Sequence, residues 1–553
     1  MTDEEAPRVF EAPGGLCVSY RGRLLYSGRE PARLPRRVAS ACDPGPARLH
    51  LVPSPLLWYG MSELLTSMGP GSAVLCVEAD PALERIARER MPAELAADRR
   101  LSFVAARTPG EAVAAARVLG NFRSCSVAAL SGGESLNAPL YRAMAAALSA
   151  EFEAAWRNRA ALMLLGERWA RNIFDNVAAL PEIAPRPFPR FAGAAAVCGA
   201  GPSLEAALPF LAEERARLSV VACDTALGTL LAAGIEPDLV VCLEAQAHNV
   251  SDFTPLGCRP APIAADLSSH PLSFRAPKGP RHLTLSRITE SPFLSRIARR
   301  LEAAGLPFLD TPPLGSVGVH AAHLASLLST GPILAVGLDF CFEAGKTHAR
   351  GCPALLAEER RMGRLRRWQG QLEASFRPRN LRVGGYLSDP VLLSYAGILA
   401  SSCEGLGLLD LRGRGPSIGA RPVSFDDARR AVRAVSASVE AERLPLGDAA
   451  SPQSDATGRE RLAKAAASIV EDELSRIMRI RDMTRGEGSR AASARAEFSR
   501  AEFSRLLGES DYLFWSFPDA DRVVSLPQDF LNRLAPRLEY WTWRLDGLRE
   551  RLG

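Results

Sequence analysis

The sequence predicts an α/β protein: a Rossmann-like parallel sheet, with a smaller N-terminal α/β domain before it and a helical C-terminal region after it. Three observations predict this. Apolar runs of strand length recur at 194–198, 219–223, 238–243, 262–265 and 332–338, with helical stretches between most of them. Strands alternating with helices fold as a parallel sheet covered on both faces. A shorter alternation of the same kind precedes them, and long helical patterns follow residue 425.

A chain of 553 residues exceeds a single core, since domains usually hold ~100–200 residues. The expected division is 1–135 (β/α), 136–190 (helical connector), 191–425 (nucleotide-binding) and 426–553 (helical). A content of 47% hydrophobic and 23% charged residues is that of an ordinary globular protein without long disorder. The net charge of +5 excludes a nucleic-acid binder with a dense basic face. Almost all the positive charge is arginine, the lysines being Lys278, Lys346 and Lys464. Eleven cysteines without a C-x-x-C pair read as reduced thiols, and no metal site is expected from them. Cys198, Cys223 and Cys242 sit in apolar runs as small hydrophobes. The acidic start Met1-Thr2-Asp3-Glu4-Glu5 lacks the pattern of a signal peptide. No apolar run reaches the ~20 residues of a membrane span. The expected location is the cytoplasm.

In chain order, residues 1–45 read as short strands with turn signals at Gly14-Gly15 and Arg21-Gly22-Arg23. Leu49–Val52 and Val74–Val77 read as buried strands. The second ends in Glu78-Ala79-Asp80-Pro81 before a helix at 82–90, like the second βα unit of a nucleotide-binding fold. Pro53-Ser54-Pro55 stands where such a fold has its glycines, which favours a structural domain without ligand. Residues 137–180 read as helix, broken by Pro181, Pro185, Pro187 and Pro189. Helices are expected over 426–442 and 460–483, with a polar loop at 447–458 between them and a solvated helix at 485–505. The aromatic tail (Tyr512, Phe514, Trp515, Phe517, Tyr540, Trp541, Trp543) reads as a helical cap on an apolar surface.

The chemistry gathers at the strand ends of the central domain. A small-residue strand runs into Gly199-Ala200-Gly201-Pro202-Ser203 and then a helix. Glycines permit a tight bend, Pro202 suits the first helical position, and the helix start with the Ser203 hydroxyl favours a phosphate. If that bend is filled by side chains instead, a scaffold remains. Asp224 and Thr225 end the next strand, where Asp224 either bonds a ribose or base or caps the following helix. Glu244 and Gln246 emerge on the same edge. Gly315, Ser316 and Val317 open a second helix able to hold an anion. Its His320 and His323 lie one turn apart without a carboxylate at ligand spacing, so they read as core or surface residues. Asp339 ends the last strand, either facing a ligand or ordering its own loop. That loop presents Lys346, Thr347 and His348, where Lys346 can meet a phosphate and His348 can act as a base.

Taken together, Gly199-x-Gly201-Pro202-Ser203-Leu204, Asp224-Thr225-Ala226-Leu227, Gly234-Ile235-x-Pro237-Asp238 with Glu244-x-Gln246, Gly315-Ser316-Val317, and Gly337-x-Asp339-x-x-Phe342-x-x-Gly345-Lys346-Thr347-His348-Ala349 resemble the MptE-like/Maf family. It includes motility accessory factors, which are flagellin glycosyltransferases, and 6-hydroxymethylpterin diphosphokinases. The resemblance covers roughly residues 155–425, including the lead-in Arg168-Trp169-Ala170-Arg171-Asn172-Ile173. It implies a sialyltransferase-like core that takes a CMP-sugar. Gly199, Gly201, Pro202 and Ser203 would hold the nucleotide phosphate. Asp224 and Thr225 would line the nucleotide pocket, opposite Gly315, Ser316 and Val317. Asp339 and the Lys346-Thr347-His348 loop would face the transferred group. Gly384-Gly385-Tyr386-Leu387-Ser388-Asp389 departs from the family's Asn- and Thr-rich loop. The implied reaction moves a nonulosonic, sialic-acid-like sugar from a CMP donor to Ser or Thr of flagellin or another protein acceptor, with His348 as base and no metal cofactor. The alternatives are diphosphate transfer from ATP, with Mg²⁺ held by Asp224, Glu244 and Asp339, and a non-catalytic nucleotide-binding relative.

Overall fold

Uncharged apolar runs can be buried on both faces, and the chain uses them as the centre of its larger sheet. The structure, a computed structural model, describes residues 6–287, 291–365, 369–402, 407–439, 456–486, 493–518, 520 and 526–553. It divides into two compact units, 1–161 and 162–553.

The first unit opens with an antiparallel sheet of β1 (Arg8–Ala12), β2 (Gly15–Tyr20) and β3 (Arg23–Leu24). A parallel sheet follows, of β4 (Arg48–Pro53), β5 (Ala73–Glu78), β6 (Leu101–Ala105) and β7 (Ser124–Val127), in the order β6-β5-β4-β7. The helix after β5 spans Pro81–Glu89, and the Asp80 carboxylate caps it by accepting the Ala82 amide at 2.9 Å. The expected helix at 137–180 is Ala138–Ala178, followed by a short turn of helix at Leu180–Ile183. The strands expected at 49–52 and 74–77 and the helices expected at 82–90 and 137–180 are present within a residue or two, whereas β6, β7 and the helix Pro109–Leu119 between them are not among the sequence expectations.

The second unit is built on nine parallel strands: β8 (Ala194–Cys198), β9 (Leu218–Cys223), β10 (Leu239–Cys242), β11 (Ile263–Asp266), β12 (Arg281–Ser286), β13 (Leu309–Thr311), β14 (Ile333–Val336), β17 (Leu408–Asp410) and β18 (Arg421–Pro422). A separate hairpin pairs β15 (Leu381–Val383) with β16 (Tyr386–Ser388). The large sheet runs β13-β12-β11-β10-β9-β8-β14-β17-β18. Its order reverses between β8 and β14, the topological switch point of an open α/β sheet. Alternate residues serve opposite cores: Val240 and Cys242 face one cluster, Leu239 and Val241 the other. The α/β class, the parallel sheet and the helical C-terminal region are thus as the sequence predicts.

Three expectations are corrected. β14 stops at Val336 rather than running to 338, because Gly337 turns the chain at φ +65°. Pro202 is not the first helical residue: the helix is Leu204–Glu213, and Ser203 stands at its N-cap without capping it. The last segment of the 485–505 expectation is not a solvated helix. It belongs to Ser493–Glu509, where Phe503, Leu506 and Leu507 are buried. Helices Phe425–Val439 and Ala456–Gly486 match expectation, while 440–442 and most of the 447–458 loop lie outside the described residues.

The aromatic tail does find an apolar surface. Trp541 of helix Gln528–Leu552 lies 5.4 Å from the Phe174 ring and 5.0 Å from Tyr512, and Tyr512 lies 4.5 Å from Phe293. Trp543 does not take part and is 71% exposed. Among the described residues no helix is long and apolar enough to cross a membrane.

Candidate functional site

The switch point between β8 and β14 is where an open sheet usually receives a ligand, and here the backbone closes it. Gly199 and Gly337 approach so tightly that a Cβ on either would strike the other's carbonyl oxygen. The Gly199 amide donates to Val336 O and the Gly201 amide to Gly337 O, both at 2.8 Å. The Ser203 amide donates to Asp339 Oδ2 at 2.9 Å, and the Ser203 hydroxyl donates to Asp339 Oδ1. The expected phosphate donors of Gly199, Gly201 and Ser203 are therefore occupied by the protein's own acceptors. An internal carboxylate sits where the sequence suggests an anion, which is the physics expected of a helix start. Burial raises the Asp339 pKa, against the Ser203 bonds and the nearby Arg414 and Arg412. Asp339 thus anchors the Gly199–Ser203 bend, 136 residues away in sequence, which is neither of the two readings expected of it.

One strand over, the edge is different. Asp224, at the end of β9, is buried and accepts the Thr225 amide at 2.9 Å. The Thr225 hydroxyl reaches Asp252 Oδ2 at 3.1 Å. Burial, then the Asp252 charge, push the Asp224 carboxyl up to about 7. Asp252 is itself raised, chiefly by burial. Glu244 is partly buried, and its carboxylate accepts the Gln246 amide at 3.2 Å. Gln246 precedes the 3-10 segment Ala247–Leu256, which delivers Asp252.

The helix Val317–Leu328 points its start at this edge. A Cβ on its Gly318 would lie 2.6 Å from Leu338 Cδ2, 3.8 Å from Ser316 Oγ and 3.9 Å from Cys223 Sγ, so the end of β9, the chain after β14 and the helix start meet at Gly318. Ser316 holds the N-cap position, but its side chain makes no capping bond. The His320 amide donates to Ser316 O at 2.9 Å, and the amides before it have no acceptor within the helix. Gly315 turns at φ +69° beside the Tyr395 ring. His320 is buried with neither ring nitrogen hydrogen-bonded. His323 is partly buried.

The loop after β14 folds back on the first bend. The Ala349 amide donates to Ala200 O at 2.8 Å, and the Arg350 amide donates to Glu205 Oε1 at 2.7 Å. Lys346 Nζ pairs with Glu205 Oε1 at 2.9 Å, so it is committed to the protein. Thr347 bonds Gln371, and His348 Nδ1 lies 2.9 Å from the Thr347 hydroxyl. Burial lowers the His348 pKa, so the ring is neutral at neutral pH.

Sequence reasoning missed several of these partners. Asp252, Glu205 and Gln371 carry no motif, although Glu205 lies in the first turn of its helix, where an acid is favoured. Asn172 and Asn176 of the lead-in helix also went unassigned. Asn172 donates to Ala245 O and Ser268 O, and Asn176 to Leu267 O and Ser269 O, at 2.8–3.1 Å. They clamp the loops after β10 and β11. Among the described residues no three His, Cys, Asp or Glu side chains form a group that could hold a metal ion. Asp224, Glu244 and Asp339 therefore do not converge as a Mg²⁺ set. A cavity of about 510 Å³ bounded by Pro181, Arg186, Arg281 and Arg459 lies at the start of β12, the opposite end from these motifs.

Residues 167–345 match the family model described as 6-hydroxymethylpterin diphosphokinase MptE-like. An uncharacterized protein of Treponema pallidum (strain Nichols) is 29% identical over 362 residues, which cover 62% of this chain and 61% of that relative. The chain thus spans about three fifths of the length of the curated relative it matches. The solved structure of a Maf glycosyltransferase from Magnetospirillum magneticum AMB-1 is similar with a TM-score of 0.54 at 14% identity, covering 100% of this chain and 93% of that one. That likeness is one of fold.

Proposed function

We propose that this chain, a member of the MptE-like/Maf family, is a glycosyltransferase of the motility-accessory type. It moves a nonulosonic sugar from a CMP donor to a Ser or Thr hydroxyl of flagellin or another protein acceptor. The observation that carries this reading is the meeting at Gly318, where an uncommitted helix start lies against the end of the strand that delivers Asp224.

The donor phosphate is assigned to the amides at the start of helix Val317–Leu328 and the free Ser316 hydroxyl, with Gly315 giving the backbone its approach. Asp224 and Thr225 are assigned to the nucleoside. A carboxyl pushed up to about 7 is partly protonated at neutral pH and can donate as well as accept a hydrogen bond. The Gly199–Ser203 bend and Asp339 hold each other and are not assigned to the donor. In the reaction the anomeric carbon–phosphate oxygen bond breaks, the acceptor oxygen bonds to that carbon, and the hydroxyl proton passes to His348. CMP leaves, stabilised by the helix start.

A second reading is favoured by one observation. Closure of the Gly bend by Asp339 suits a non-catalytic nucleotide-binding relative. A thermal-shift series on the full chain separates the readings, with CMP, CMP-sugars, ATP and GTP, each with and without Mg²⁺. Stabilisation by CMP without metal, followed by sugar transfer to a flagellin acceptor detected by mass spectrometry, is the expected result. CMP stabilisation without transfer supports the binding relative. Stabilisation by ATP only with Mg²⁺ overturns the transferase in favour of diphosphate transfer.

A further inference from the structure

The hydroxyl of Thr347 has one proton and two polar neighbours, and the geometry decides where that proton goes. Gln371 Oε1 lies 2.9 Å from the Thr347 amide nitrogen and 2.7 Å from Thr347 Oγ1. The amide N–H is a fixed donor, so the atom facing it is the side-chain oxygen of Gln371 and not its NH₂. That oxygen only accepts, so the Thr347 hydroxyl proton points to it. Toward His348 Nδ1, 2.9 Å away, Thr347 Oγ1 then offers a lone pair. Nδ1 must carry the ring proton, and Nε2 is left as the basic atom.

We propose that Gln371 is a positioning residue that acts through Thr347 to hold His348 as its Nδ1–H tautomer, with Nε2 presented as the base. The proposal rests on the assignment of His348 as the base of the transferase. Gln371 lies in helix Gln369–Ser375, and the same helix holds the loop a second time: Ser375 Oγ accepts the Gly345 amide at 2.8 Å. The loop and its tautomer are therefore set from one element, 24 residues away from Thr347 in sequence. The hydrogen bond made by one ring nitrogen sets the tautomer, and an unconstrained histidine side chain favours Nε2–H, so the arrangement has a signature.

The test uses the full chain labelled with ¹⁵N-histidine. Two-bond proton–nitrogen spectra assign the tautomer of each ring, and His348 is identified as the signal missing in His348→Gln. The expected result is an Nδ1–H ring in the unmodified chain. The ring converts to mainly Nε2–H in Gln371→Ala and stays Nδ1–H in Gln371→Glu, whose carboxylate also only accepts. Should Gln371→Ala fail to fold, Thr347→Val tests the same link. An Nε2–H ring in the unmodified chain, or an unchanged ring in Gln371→Ala and Thr347→Val, overturns the proposal. In turnover with a CMP-sugar, Gln371→Ala lowers kcat about tenfold with KM little changed, and Gln371→Glu restores it. If the spectra follow expectation while His348→Gln turns over normally, the hydrogen-bond relay stands and the base assignment falls.

Discussion

At the end of β5, Glu78 is buried and receives four donors: the Ser54 hydroxyl at 2.6 Å, the Tyr141 hydroxyl at 3.1 Å, and the amides of Ala79 and Asp80 at 2.9 Å. At the end of β9, Asp224 is equally buried; it receives the Thr225 amide at 2.9 Å, the Thr225 hydroxyl at 3.4 Å and the Cys242 thiol, and two further acids act on it. Both carboxyls are raised, chiefly by burial. What differs is the remaining environment. Glu78 has its lone pairs filled from within the chain, as a structural group does. Asp224 instead shares the Thr225 hydroxyl with a second acid, Asp252, and the charges of Asp252 and Glu244 add to the effect of burial in raising it. A carboxylate at a strand end is therefore not by itself a binding signal, and what sets Asp224 apart from Glu78 is the neighbouring acid Asp252 that competes for the same hydroxyl.

The largest expected effect is in the first unit. Glu78→Ala leaves two hydroxyls and the Asp80 amide without their acceptor, while the Ala79 amide keeps the Tyr141 hydroxyl oxygen at 3.1 Å; the cost is about 3 kcal/mol if each orphan costs about 1 kcal/mol. Hydrogen exchange on the full chain should show it as faster exchange in β4 through β7. CMP stabilisation should persist. Loss of nucleotide binding in Glu78→Ala would break the distinction between the two sheets.

Asp224→Asn should give the next largest change, with a sign set by linkage. The folded-state pKa of Asp224, about 7, lies above the ordinary value of 3.8. The folded state thus holds the proton more tightly, and its stabilising contribution is complete below about pH 4 and lost as pH rises through about 7. The neutral amide escapes that loss. Asp224→Asn should therefore gain about 2–4 kcal/mol relative to the unmodified chain at pH 8, and little at pH 4, in denaturant melts of the second unit. CMP affinity should fall in the same variant. A gain that is equal at both pH values would show that Asp224 is not held protonated.

Ser203→Ala sharpens the comparison within the second sheet. It removes one of the two Ser203 bonds to the buried Asp339 carboxylate and should cost about 2 kcal/mol in the same melts. With the phosphate assigned to the helix at Ser316, CMP affinity should change little once folding is corrected for. Unchanged stability with weakened CMP binding would return the phosphate to the Gly199–Ser203 bend.

How much of this the sequence reveals follows from chain distance. β8, β9, β10 and β14 are legible because they are uncharged apolar runs, and β11 because only its last residue, Asp266, is charged. β12 begins Arg281-His282, and β13 and β18 have three and two residues, too short and too polar to show a period. The glycines at 199, 315 and 337 are legible as bends, but which backbone each approaches is not. Asp224, Thr225 and His348 stand out locally. Their partners Asp252 and Gln371 lie 27 and 24 residues from Thr225 and Thr347, within segments with no pattern of their own. Ser203 and Asp339 are 136 residues apart, and only the fold shows that one cancels the other's availability. The aromatic tail announces burial, yet nothing local says that Trp541 rather than Trp543 meets Phe174.

The smallest effect at neutral pH concerns His320, a buried residue of the second unit. Its two ring nitrogens have no hydrogen-bond partner, whereas the comparable His50 of the first unit has Ser126 at 2.9 Å from Nδ1. Burial lowers the His320 pKa to about 4, with Asp266 opposing and His323 reinforcing. A histidine whose folded pKa lies below 6.5 is stable when neutral and loses stability as pH falls from about 6.5 toward 4, because the unfolded chain takes the proton more readily. His320→Leu keeps the volume and removes two unsatisfied polar atoms, so it should gain about 1 kcal/mol at pH 7. The gain should grow between pH 6.5 and pH 4, where the unmodified chain pays for its neutral ring. His50→Leu, which strands Ser126, should show no gain at pH 7. If His320→Leu destabilises at pH 7, its ring is satisfied by bound water or ligand, and the second unit's interior is more polar than its protein contacts indicate.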